Sequence, residues 1–216
     1  PARILKSMAP SPLHRLFDPC VWLAWAVLAS TTATPAAPTP AGPWTHFTIC
    51  DPLPGANWGT AGLPLADLDR DGDLDVALSR REAQGFYWYE RRSDSTWIQH
   101  TVCDDPDVKQ GLGAAALDVD QDGWIDLVFS GVWFRNPGKS AANAETRWER
   151  QSYDGGGHDI LSADVNGDRR QDVVTFDGDT LAWFDTARQF AKTTLATKVG
   201  HHGGLTPRGA GDLDGA

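Results

Sequence analysis

Five aspartates alternate along nine residues in DLDRDGDLD, Asp67 to Asp75. Like charges about 4 Å apart repel by about 1 kcal/mol in water and by more where solvent is excluded. The apolar run VAL follows at once, so the loop abuts a buried segment. A bound cation would offset that repulsion and stiffen the loop. The pattern recurs as DVDQDGWID from Asp118 and DVNGDRRQD from Asp164, with a shortened DLDG from Asp212. A period near 48 residues is the mark of an array or a propeller.

Aligned, the loops place Asp67, Asp118 and Asp164 first. Asp69, Asp120 and Asn166 stand third, Asp71, Asp122 and Asp168 fifth, and Asp75, Asp126 and Asp172 ninth. Four oxygen side chains per loop, with a backbone carbonyl at position 7, suit a hard divalent cation. Ca2+ fits such a set better than Mg2+, which keeps its water and a tighter octahedron. No adjacent His or Cys points to zinc. Gly72 and Gly123 hold position 6, where a sharp turn favours positive φ. The third loop has Arg169 there and neutral Asn166 at position 3, so it is expected to be the weakest. An EF-hand would run twelve residues to a Glu between helices. Here the ninth residue is followed by VALS, LVFS or VVTF, which read as strands. A solvated acidic turn explains one such loop but not three in register.

Each loop sits in the same series of elements. A short apolar lead-in (GLPLA, GAAAL, DILSA) precedes it and a β-branched run follows. Next come the aromatic pairs Trp88-Tyr89, Trp133-Phe134 and Trp183-Phe184, then a segment opening with Trp97, Trp148 or Phe190. Four strands in such a length make one propeller blade. The fold class is therefore all-β: a β-propeller of four-stranded antiparallel blades, about three of them complete in a partial chain. The aromatics are expected to pack blade against blade, with sugar stacking as the alternative. Trp44 to Cys50 matches a fourth strand without its first three, as if waiting for a partner beyond this chain.

The chain carries 19 Lys+Arg against 29 Asp+Glu, a net charge of -10. That balance argues against nucleic acid or anionic lipid as partner. The apolar run Cys20 to Ala29 is too short to span a bilayer and suits a signal-peptide core. Residues 1–33 are read as signal peptide and upstream residues, cleaved near Ala29 or Ala33, and 34–43 as a Thr/Ala/Pro-rich linker. Secretion would permit a disulfide, but Cys50 and Cys103 occupy equivalent places in neighbouring repeats and are expected to stay separate thiols.

These residues resemble the FG-GAP/VCBS repeat family over about 44–216, with blades near 59–103, 109–153 and 157–199 and the next starting at 203–216. The resemblance implies an integrin alpha-like propeller, commonly seven-bladed, with structural Ca2+ in blade hairpin loops. It implies three sites: Asp67, Asp69, Asp71, Asp73 and Asp75; Asp118, Asp120, Asp122, Trp124 and Asp126; Asp164, Asn166, Asp168, Arg170 and Asp172. Asp73, Trp124 and Arg170 would act through their backbone carbonyls. The expected function is a secreted calcium-binding scaffold for a glycan or extracellular protein. The alternative is a non-catalytic part of an extracellular polysaccharide lyase or hydrolase with its active site further along. No catalytic residue is assigned: Glu82 and Glu90 lack an orienting partner in the sequence. His46 and His100 recur beside the last strand's Trp, and His201-His202 is a weak metal-pair candidate.

Overall fold

The computed structural model describes residues 45–53, 62–78, 85–105, 112–143 and 145–199. The expected signal peptide, the linker, His201-His202 and the loop from Asp212 lie outside the described residues.

Twelve strands form three antiparallel four-stranded sheets. The first blade is β1 (Leu65–Ala66), β2 (Asp75–Leu78), β3 (Phe86–Ser93) and β4 (Thr96–Cys103). The second is β5 (Ala114–Leu117), β6 (Asp126–Phe129), β7 (Val132–Arg135) and β8 (Glu149–Ser152). The third is β9 (Asp159–Ala163), β10 (Asp172–Asp177), β11 (Thr180–Asp185) and β12 (Ala191–Ala196). In every blade the strands pair in chain order, and the acidic loop is the turn between the first two. This is the blade plan of a β-propeller. The only helical pieces among the described residues are 3-10 turns at Gly138–Ser140 and Thr186–Arg188. No helix among them is long and apolar enough to cross a membrane.

Side chains on a strand alternate between faces, and the second blade uses both. Every residue of β6 is buried. Leu127 and Phe129 join a core with Ala77, Phe86 and Trp88 of the first blade. Val128 joins a core with Val173, Ala182 and Phe184 of the third. The aromatics do pack between blades: Phe86 lies 4.4 Å from Phe129 and 5.1 Å from Phe134, ring centre to ring centre. Across the next seam, Tyr153 stacks on Phe190 at 4.5 Å and meets Phe184 edge-on at 5.2 Å.

Of Trp44–Cys50, read as a fourth strand without its first three, Trp44 lies outside the described residues and Thr45–Cys50 forms no strand with any of the three sheets. The segment instead lines a cavity of about 300 Å³ with Val76, Leu78 and Tyr89. The Tyr89 hydroxyl donates to Cys50 Sγ at 3.2 Å. Cys50 and Cys103 are free thiols, as expected, and burial pushes the Cys103 thiol upward.

Candidate metal centre

The three loops are built alike, residue for residue. The first carboxylate accepts from the sixth N–H: Asp67 from Gly72 at 3.1 Å, Asp118 from Gly123 at 2.9 Å, Asp164 from Arg169 at 2.9 Å. The third side chain accepts from the fifth N–H in Asp69, Asp120 and Asn166, at 3.2, 3.2 and 2.9 Å. The fifth accepts from the seventh N–H in Asp71, Asp122 and Asp168, at 3.1, 2.9 and 2.8 Å. These short Asx-type bonds curl the backbone inward. Positions 4 and 6 both take positive φ: 62° and 99° at Arg70 and Gly72, 61° and 88° at Gln121 and Gly123, 76° and 70° at Gly167 and Arg169. The third loop thus keeps the common conformation despite its departures, with its glycine moved from position 6 to position 4. The left-handed residue at position 4 was not legible in the sequence, because Arg70 and Gln121 are poor advertisements for it.

The ninth residue has backbone partners of its own. Asp75, Asp126 and Asp172 are fully buried. One oxygen of each accepts the N–H of position 2: Leu68 at 2.9 Å, Val119 at 2.9 Å, Val165 at 3.2 Å. The other accepts the N–H just past the third strand's aromatic pair: Arg91 at 3.0 Å, Asn136 at 2.7 Å, Thr186 at 3.1 Å. These carboxylates clamp the loop to the sheet.

The remaining acids leave oxygens converging in the loops. Asp67, Asp69 and Asp71 bring carboxylate oxygens within 4.8 Å of one another, as do Asp118, Asp120 and Asp122. Asp164 and Asp168 share their loop with the amide of Asn166, which donates to Asp168 at 3.2 Å. Two buried oxygens, Asp73 Oδ1 and Asp118 Oδ1, have no hydrogen-bond partner among the described residues. Burial first, then a hydrogen bond shared with Glu90 and the charges of Asp75 and Asp71, pushes the Asp69 carboxyl up to about 7. Burial likewise holds Asp75 at about 6 and Asp126 at about 7, against the pull of their backbone donors. Crowded oxygens, orphaned acceptors and carboxyls that resist ionising fit a divalent cation as the missing partner. The first and second loops present three carboxylates each for it, and the third presents two with the Asn166 oxygen.

Adjacent loops are tied along one rim. Asn136 Nδ2 donates to the Leu68 carbonyl at 2.9 Å, and Arg170 Nη2 to the Val119 carbonyl at 2.6 Å. The Arg70 guanidinium lies over the Trp124 ring at 4.6 Å. The sequence did not mark Asn136 or Arg135. Arg135 reaches back to the second loop, with Nε 2.6 Å from Asp120 and Nη2 3.0 Å from Asp122. His100 lies in the interior, stacked on Trp88 and 2.8 Å from Glu90. His46 is exposed.

Residues 67–129 match the model of the FG-GAP-like repeat. The match runs from the first acidic loop through the second and the strand after it. No curated protein matches the chain at a significant level.

Proposed function

We propose that this chain, which carries an FG-GAP-like repeat at residues 67–129, is a secreted calcium-stabilised propeller that presents a glycan or an extracellular protein with a rigid rim. The observation carrying this reading is the identical inward curl of three loops, the first and second each leaving a buried oxygen without a hydrogen-bond partner. Calcium there sets the loops; it performs no chemistry. Asp67, Asp69 and Asp71 would hold one ion, Asp118, Asp120 and Asp122 a second, and Asp164, Asn166 and Asp168 a third. The face for a partner is supported by a groove of about 510 Å³ beside the second loop, bounded by Trp124, Arg135, Lys139, Arg147 and Glu149. An aromatic ring among charged and amide groups suits a sugar or a polar peptide. The acid–histidine pair Glu90 and His100 of the first blade is 1% and 5% exposed, which favours binding over acid–base work on a substrate.

Calcium should raise the melting temperature of the full chain and EDTA should lower it. At a hundredfold excess over Kd each bound ion adds about 2.7 kcal/mol. The double change Asp67→Ala and Asp71→Ala should remove one ion from the calorimetric stoichiometry. An unaltered count would sink the ligand assignment.

A further inference from the structure

Strand pairing makes one further position equivalent in the three blades. Val76 pairs with Tyr89, Leu127 with Phe134 and Val173 with Phe184. The residue after each of these aromatics is Glu90, Arg135 or Asp185. In the second and third blades this side chain meets position 3 of its own loop, whereas Glu90 is held by Arg92 Nη2 at 2.6 Å and by His100 Nε2 at 2.8 Å. Arg135 Nε lies 2.6 Å from Asp120. Asp185 Oδ2 lies 3.5 Å from Asn166 Nδ2. In those two blades the same spot on the third strand therefore faces the same spot in the loop, with opposite charge.

Asp185 is only 3% exposed, and its Oδ1 has no hydrogen-bond partner among the described residues. Its nearest cation is the exposed Arg188, 3.5 Å from Oδ2. A buried carboxylate oxygen without a donor is costly, and one beside an oxygen-lined loop is best satisfied by an ion in that loop. Arg135 does the reverse: its guanidinium already neutralises two of the second loop's carboxylates.

We propose that this third-strand position tunes the loops: Asp185 adds a carboxylate to the third, while Arg135 is a built-in cation that a metal must displace from the second. The second loop, not the third, is then the weakest. The inference rests on the calcium reading of the loops. It has a separate test.

Calcium binding to the full chain is followed by titration calorimetry, with terbium luminescence sensitised by Trp124 at position 7 of the second loop. Trp124→Phe identifies that signal. The wild type should show two tight sites and one weaker site, the weak one reported by Trp124. Arg135→Gln, a change at an exposed residue, should tighten that site at least about tenfold, since one competing charge is removed beside a divalent ion. Asp185→Asn should weaken one tight site and leave the Trp124 signal unmoved. Circular dichroism in EDTA confirms that each variant is folded. A weak site unchanged by Arg135→Gln, or three equal sites indifferent to both variants, overturns the proposal while leaving calcium in the loops. No binding of either metal by any form overturns the calcium reading and this proposal together.

Discussion

At the scale of single residues, the loops divide their aspartates between two tasks. Positions 1, 3 and 5 converge and repel, whereas position 9 anchors the loop through two backbone donors. The first task was legible, because alternate acids in a nine-residue turn have few other uses. The second was not: Asp126 needs the N–H of Asn136 at 2.7 Å, and only the pairing of β6 with β7 brings that group near. The crowding has a pH signature. In the metal-free fold Asp69 and Asp126 are pushed up to about 7 and Asp75 to about 6, chiefly by burial. In the unfolded chain they return to about 3.9. A raised folded value means the folded form holds protons that the unfolded form has released. That contribution is fully present below about pH 4 and is lost as pH rises through 6 and 7. In EDTA the melting temperature should therefore fall between pH 5 and pH 8. With calcium the ionised form is the favoured one, and the fall should disappear. A melting temperature in EDTA that holds level or climbs over that interval would contradict the burial described for these groups.

At the scale of elements, the blade is a device for hiding both faces of a short strand. The β6 sequence DLVF has no polar–apolar alternation after its aspartate, as a strand covered on both sides requires. Such runs were readable as strands, and the aromatic pairs marked the strand that follows. Thr45–Cys50 resembles β4 in composition yet forms no strand, because composition does not supply a neighbour to pair with. Phe134 shows what the burial is worth. It is fully buried at the end of β7 and meets Phe86 at 5.1 Å and Phe129 at 5.8 Å. Phe134→Ala should cost about 3–5 kcal/mol by emptying the seam between the first two blades. Urea denaturation in calcium measures it, and a loss under 1 kcal/mol would mean that the seam can collapse around the gap.

At the scale of the whole assembly of blades, neighbours meet backbone to backbone just before their first strands. Gly62 N–H donates to the Leu112 carbonyl at 2.6 Å, and Gly113 N–H to the Gly157 carbonyl at 3.4 Å. A Cβ on Gly113 would lie 2.4 Å from Ile160 Cγ1 and 2.9 Å from Ile160 N. The second contact is backbone, so a rotamer change at Ile160 relieves only part of the clash. Gly113 therefore fixes how closely β5 and β9 approach, and through them how the Val128 core meets Val173 and Phe184. Gly113→Val adds three carbons where none fits. Overpacking of this kind costs about 1–3 kcal/mol when neighbours can shift, and here the neighbour is a strand. The loss should be local to one seam. Hydrogen exchange should speed up in β9 to β12 while the β2–β3 ladder keeps its protection, because the first blade touches the second through a separate core. Equal loss of protection in all three blades would show instead that the seams melt as one cooperative unit, and an unchanged melting temperature would show that the close approach at Gly113 is not required.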